Sequence, residues 1–201
     1  WGVASAGYGY RWHEADPRWD DRKNRNEPNR FGWVVEIDPW NPNSVPVKRT
    51  ALGRFKHEGA WVVVGADNAV AVYLGDDERN EHIYKFVCSA RFDPANRAAN
   101  RNLLDAGILY VAKFASDMTG RWIPLTWNQN GLTPANGFAD QGEILIKARM
   151  AGDRVGATMM DRPEWIAVHP TTREVYITLT NNNRRGSKPA SSNALDGSTA
   201  P

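Results

Sequence analysis

Arg162 and Glu164 stand two residues apart in Met160-Asp161-Arg162-Pro163-Glu164-Trp165, just ahead of the apolar run Ile166-Ala167-Val168. Side chains two apart in an extended segment share a face, so a guanidinium and a carboxylate would lie side by side. That pair suits recognition of an anion beside a bound cation. A rim ion pair at a strand end would use the same two residues. Pro163 has no N–H to give to a ladder, which puts it at the start of a strand and not inside one.

Two more acidic stretches could join this chemistry. In Arg54-Phe55-Lys56-His57-Glu58-Gly59-Ala60, basic neighbours favour ionised Glu58, and Gly59 permits close backbone approach. Glu58 is therefore a candidate metal ligand; a carboxylate capping a turn is the plainer reading. In Gly75-Asp76-Asp77-Glu78-Arg79-Asn80-Glu81 adjacent carboxylates repel, and a hard cation such as calcium would relieve the repulsion. The spacing lacks the glycine and closing glutamate of a helix–loop–helix calcium loop, so a solvated acidic turn competes with that reading. Of the histidines, only His57 lies near candidate chemistry, as a supporting group behind a ligand. His13, His82 and His169 are expected to make ordinary hydrogen bonds. Gly-x-Ser-x-Gly, Gly-Lys-Ser/Thr and His-Glu-x-x-His are all missing, which argues against serine hydrolases, phosphate-loop enzymes and common zinc proteases.

The elements that must hold these residues read as short strands with turn-length connections. Gly32–Asp38, Trp61–Val64, Val70–Leu74, His82–Val87, Ile108–Phe114, Arg121–Leu125, Trp165–Val168 and Glu174–Thr180 supply seven or eight. Asp67-Asn68 marks a hairpin. The rhythm is that of all-β sandwiches, barrels or propellers, and a loose aromatic–aliphatic strand followed by an Asp/Pro turn recurs as weakly similar blades would. Helical spacing predicts one helix from Gly142 to Arg154 and a weaker one over Arg97–Leu104. Residues 1–30 read as irregular. Cys88 closes an apolar strand and reads as a small buried residue.

Composition narrows the function classes. The chain has 201 residues, 41% apolar, with Trp 9, Tyr 6 and Phe 6, enough for one sizeable core. A net charge of +2 gives no basic field for nucleic acid. No apolar run approaches the roughly 20 residues that span a bilayer, and no leader pattern opens the sequence. Cys 1 rules out an intrachain disulfide and a cysteine-rich zinc module.

Several long motifs resemble the PhoX-type alkaline phosphatases. They are Asn29–Pro39, Thr50–Ala60, Tyr73–Arg79, Gly156–Trp165 and Thr178–Asn182, in that order and spread over residues 8 to 185. The resemblance implies a distorted six-bladed β-propeller, partial here, that hydrolyses small phosphate monoesters. It implies export by the twin-arginine route to the periplasm or outside the cell, and Ca2+ and Fe3+ (calcium and iron) as cofactors. It places Glu58 and Glu164 as metal-bridging carboxylates, Asp77 as a calcium-binding position, and Arg162 as the arginine that holds substrate phosphate. Residues 1–185 then form part of a single propeller domain, with 186–201 a loosely ordered Ser/Ala/Gly-rich segment.

The family's Cys-Glu-Glu motif and a nearby substrate-binding lysine are expected upstream of Trp1, and further blades beyond the last residue. On that expectation the chain is truncated at both ends and poorly active by itself. No membrane span and no nucleic-acid partner are expected, and a monomer is. Two other classes remain open: a non-catalytic propeller scaffold and a calcium-dependent propeller lactonase or esterase. Arg162 favours phosphate over a neutral lactone.

Overall fold

The computed structural model describes residues 10–186. The 186–201 tail expected to be loosely ordered lies, from 187 onward, outside the described residues. The described residues begin with a short helix, α1 (Trp12–Ala15), and two single 3-10 turns, Pro17–Trp19 and Glu27–Arg30. The strands follow: β1 (Val35–Glu36), β2 (Val47–Lys48), β3 (His57–Val64), β4 (Ala69–Asp76), β5 (Arg79–Glu81) and β6 (Ile83–Arg91). Then come β7 (Gly107–Phe114), β8 (Gly120–Pro124), helices α2 (Gln141–Ile146) and α3 (Ala148–Arg154), and strands β9 (Met160–Asp161), β10 (Pro163–Val168) and β11 (Val175–Leu179).

Strands β3, β4, β6, β7 and β8 make one antiparallel sheet in that order, and β1–β2, β5–β9 and β10–β11 make two-stranded ladders. The β3–β4 hairpin turns at Asp67-Asn68, where Asn68 takes φ 61, a conformation asparagine tolerates. Period-two alternation sends Val70, Val72, Leu74, Tyr84, Phe86, Leu109, Val111 and Ile123 to one face. There they meet Phe55, Leu132, Phe138 and the inner residues Ile144, Ala148 and Ala151 of α2 and α3. The other face carries Trp61, Tyr73, Lys85 and Tyr110 as successive cross-strand neighbours. The Lys85 ammonium sits 4.9 Å from the Trp122 ring centre, a cation–π contact.

The described residues form mostly strands with few short helices, and among them the sheets do not close on themselves. This is an all-β, partial propeller-like arrangement. Three details differ from the sequence-based expectation. The helix over Gly142–Arg154 is split at Lys147, whose φ −102 and ψ 35 leave the helical region. The Arg54 N–H takes the Leu145 carbonyl at 2.9 Å and its guanidinium reaches the Ile146 carbonyl at 3.4 Å, which draws both out of the helical ladder. The helix over 97–104 is instead a kinked pair of 3-10 turns, Ala99–Asp105, with Asn102 outside helical geometry. The Asn100 side chain binds both backbone groups of Asp93, at 2.8 and 2.7 Å, competing with a helix there. The strand read over Gly32–Asp38 shrinks to Val35–Glu36.

Candidate functional site

Arg162 sits in the single-residue gap between β9 and β10, with φ 53. A non-glycine residue in the left-handed region is uncommon and costs on the order of 1 kcal/mol, and such strain gathers at functional sites. Pro163 starts β10, as its missing N–H requires. The extended geometry assumed for Arg162–Glu164 is therefore incorrect, since Arg162 makes a left-handed kink. The two side chains still meet, with Arg162 Nη2 3.5 Å from Glu164 Oε1.

Asp77 completes this group. Arg162 Nη2 donates to Asp77 Oδ2 at 3.1 Å, and Arg162 Nε lies 3.0 Å from Asp77 Oδ1. The bond to Asp77 raises the guanidinium's pKa further. Asp77 Oδ1 is shielded from solvent yet accepts no well-aligned hydrogen bond among the described residues. The group is brought together by β10 packing across the ends of β3 and β4. Gly75 permits that approach: a Cβ there would sit 2.9 Å from the carbonyl oxygens of both Pro163 and Glu164.

Glu58 comes from the same region by a different device. The β3–β4 register slips between His57↔Asp76 and Gly59↔Gly75, so Glu58 is the extra residue of a bulge. Bulges re-aim side chains and recur beside active sites. Glu58 is exposed and has no ion pair or hydrogen bond among the described residues. With Asp77, Lys56, His57 and Trp33 it lines a cleft of about 360 Å3. His57 supports the cleft wall: its ring lies against Phe55 with centres 3.8 Å apart and planes tilted by 33°, and Nε2 faces the Gly53 carbonyl at 3.0 Å. Burial drives its pKa down to about 4, so the ring is neutral near pH 7.

The Asp76-Asp77-Glu78 run does not act as one acidic loop. Asp76 turns inward and is gripped by Arg149 through Nε at 2.7 Å and Nη2 at 2.6 Å. Glu78 turns to Lys56 at 2.6 Å and Arg79 at 3.5 Å. Burial pushes Glu78 up, but the Lys56 bond and the Arg79 backbone N–H, which donates to Glu78 Oε1 at 2.9 Å, outweigh it and hold its pKa at about 2. Only Asp77 faces Arg162. This inward charge network was not legible in the sequence. Besides Asp76 and Arg149 it holds Glu81, 3.8 Å from Arg149 Nε, and the His82–Asp153 pair at 3.2 Å. Burial and neighbouring Asp76 push the Glu81 carboxyl well above its usual range. A further brace was also missed. Asn182 donates to Asn80 and Asp161 at 2.7 and 2.9 Å, and Arg185 Nε meets Asp161 at 2.7 Å, fixing the residue before Arg162.

The donor chemistry of Glu58, Asp77 and Glu164 suits hard cations, which prefer carboxylate oxygen. Their number does not suffice: among the described residues no group of three or more His, Cys, Asp or Glu side chains is placed to hold a metal ion. The three carboxylates therefore do not form a closed metal site here. A second hollow, about 420 Å3 and lined by Arg121, Trp122, Asn130 and Arg154, contains none of the candidate site residues Glu58, Asp77, Arg162 and Glu164. No helix among the described residues is long and apolar enough to cross a membrane.

Comparison with known proteins now bears on this geometry. A sequence model of the family described as "Alkaline phosphatase PhoX" matches residues 2–199. A solved structure of Pseudomonas fluorescens PhoX in complex with vanadate, a transition state analogue, is 55% identical and superimposes with a TM-score of 0.87. The match covers 90% of this chain and 33% of that one, so the chain spans about a third of that structure's length. No curated protein sequence matches the chain.

Proposed function

The chain belongs to the PhoX alkaline phosphatase family, and on that premise we propose that it forms the arginine-and-carboxylate wall of a metal-dependent phosphomonoesterase site. Arg162 binds the substrate phosphate, and Glu58, Asp77 and Glu164 contribute oxygen ligands to a calcium and iron centre. Substrates are small phosphate monoesters, and the site works in the periplasm or outside the cell.

The observation that carries this reading is Arg162 held in a strained left-handed turn between Asp77 and Glu164. A guanidinium presents a rigid fork that matches phosphate, and charge-assisted bonds of this kind are the strong ones. Charge balance explains why cations are needed. Among the described residues around Arg162, the side chains of Glu58, Asp77, Glu78 and Glu164 stand with the cations Lys56, Arg79 and Arg162, while Arg149 is engaged by Asp76 behind them. Four carboxylates against three cations repel a phosphate dianion unless positive charge is added. Bound hard cations would supply that charge and polarise phosphoryl oxygens.

This chain's own residues do the rest. Arg162 orients the phosphate and meets charge that grows on its oxygens as the ester bond breaks. The Asn182 and Arg185 bonds to Asp161 keep the turn in place. Neutral His57 lines the cleft wall without adding charge.

The test is phenyl phosphate turnover by the natural full-length protein and its Arg162→Gln variant, with a simple lactone as the second substrate. We expect about a hundredfold loss of kcat/KM on the phosphate ester, the scale of losing a main anion-stabilising donor. Loss within threefold, or faster turnover of the lactone than of the phosphate ester, overturns the proposal.

A further inference from the structure

Beneath the phosphate site lies a buried ion pair that the proposed chemistry does not touch. Asp76 is completely enclosed, and its two oxygens take Nε and Nη2 of Arg149 at 2.7 and 2.6 Å. Asp76 Oδ1 also accepts the backbone N–H of Lys56 at 3.2 Å. Lys56 stands two residues before Glu58, and its carbonyl accepts the Asp77 N–H at 3.0 Å. The Asp76 N–H in turn donates to the His82 carbonyl at 3.2 Å. One carboxylate thus ties together α3, the start of β3 that presents Glu58, and the end of β4 from which Asp77 reaches Arg162. Gly152, one turn along α3 from Arg149, lets the helix lie against His82: a Cβ there would come within 2.5 Å of the ring.

We propose that Arg149 is a positioning residue of the phosphate site: its two-pronged grip on Asp76 sets where Asp77 and Glu58 stand relative to Arg162. This rests on the functional reading above. The fork is what matters. A guanidinium can hold both carboxylate oxygens and so fix the Asp76 plane, whereas a lysine ammonium is a point charge that leaves it free to turn. Rotation of Asp76 would release the Lys56 N–H, and the Glu58 bulge and the Asp77 backbone would move with it. Misplacement of catalytic groups by about 1 Å can cost about a hundredfold in rate.

The experiment uses the natural full-length protein and three forms: wild type, Arg149→Lys, and the double variant Asp76→Asn/Arg149→Met. The double variant removes both members of the Asp76–Arg149 pair together. The Glu81 carboxyl, which also loses its Arg149 contact at 3.8 Å, is already pushed well above its usual range by burial and takes up a proton instead of staying an unpaired ion. Each form is assayed for phenyl phosphate turnover, for inhibition by vanadate and for its melting temperature. The expected result is that both altered forms lose about tenfold or more in kcat/KM and in vanadate affinity, with the double variant melting within a few degrees of wild type. A purely structural role predicts activity that returns together with the melting temperature; a double variant within twofold of wild-type kcat/KM overturns the proposal. Should the double variant fail to fold, Arg149→Lys decides alone, and wild-type kinetics from it count against the inference. A wild-type protein that turns over no phosphate ester defeats the functional reading instead, so the two failures are distinguishable.

Discussion

His57 shows how a single residue can be a neighbour of chemistry without taking part in it. Its sequence position beside Glu58 suggested a supporting role, and its ring does brace the cleft wall through Phe55 and the Gly53 carbonyl. Its Nδ1, however, is buried without a hydrogen-bond partner among the described residues, so protonation would place an unrelieved charge in the interior. With a folded pKa of about 4 against an ordinary value of 6.5, the unfolded chain binds more protons between those limits. Stability from this group is therefore complete above pH 6.5 and lost as pH falls towards 4, by at most about 3 kcal/mol. Melting temperatures recorded with chelator present should decline over that window in the wild type. In His57→Phe, which keeps the ring contact with Phe55 and cannot titrate, that part of the decline should vanish; an unchanged decline would locate the titration elsewhere. Residue identity was legible here, but the direction of the pKa shift was not, because only tertiary burial sets it. The same holds at Arg162. Its proximity to Glu164 followed from spacing, but the left-handed turn that achieves it is imposed by the β5–β9 pairing and the Asn182 brace.

At the scale of elements, the site depends on β10 lying across the ends of β3 and β4, and Gly75 controls that contact. Its nearest neighbours are backbone carbonyl oxygens, which cannot swing aside as a side chain can. Gly75→Ala should push the Pro163–Glu164 segment away, lower stability by about 1–3 kcal/mol as overpacking does, and impair phosphate ester hydrolysis beyond that loss. Urea unfolding and kcat/KM of the natural full-length protein read the two effects, and wild-type values in both from the Gly75→Ala variant would refute the role assigned to Gly75. Strands were the most readable elements, since apolar alternation in β4, β6 and β7 is local information. Short ladders were not: β5 and β9 hold three and two residues, too few for any period to register. The helix over 142–154 was legible in extent but not in its break, because the group that draws off its carbonyls is Arg54, far away in sequence.

The whole molecule presents an unbalanced wall. Glu58, Asp77 and Glu164 face one region from a bulge, a strand end and a strand start, and each was visible in the sequence as an acidic residue beside a turn. What local sequence could not show was whether they converge, and among the described residues they fall short of a closed metal group. Carboxylates left in partial sets still attract cations, but affinity rises steeply with the number of oxygen ligands that meet at one point. Extracellular calcium modules with complete ligand sets bind at about 0.1–1 mM; a set of fewer converging donors must bind more weakly. Calorimetric titration of the 201-residue chain with calcium should therefore give a dissociation constant above about 1 mM, weakened further by Glu58→Gln. The same chain should release little phosphate from phenyl phosphate, because Arg162 remains engaged by Asp77 and Glu164 while the local charge stays negative. Micromolar calcium binding that survives Glu58→Gln, or turnover that does, would mean that the chain closes a metal site without Glu58, and the wall assigned here would be the wrong one.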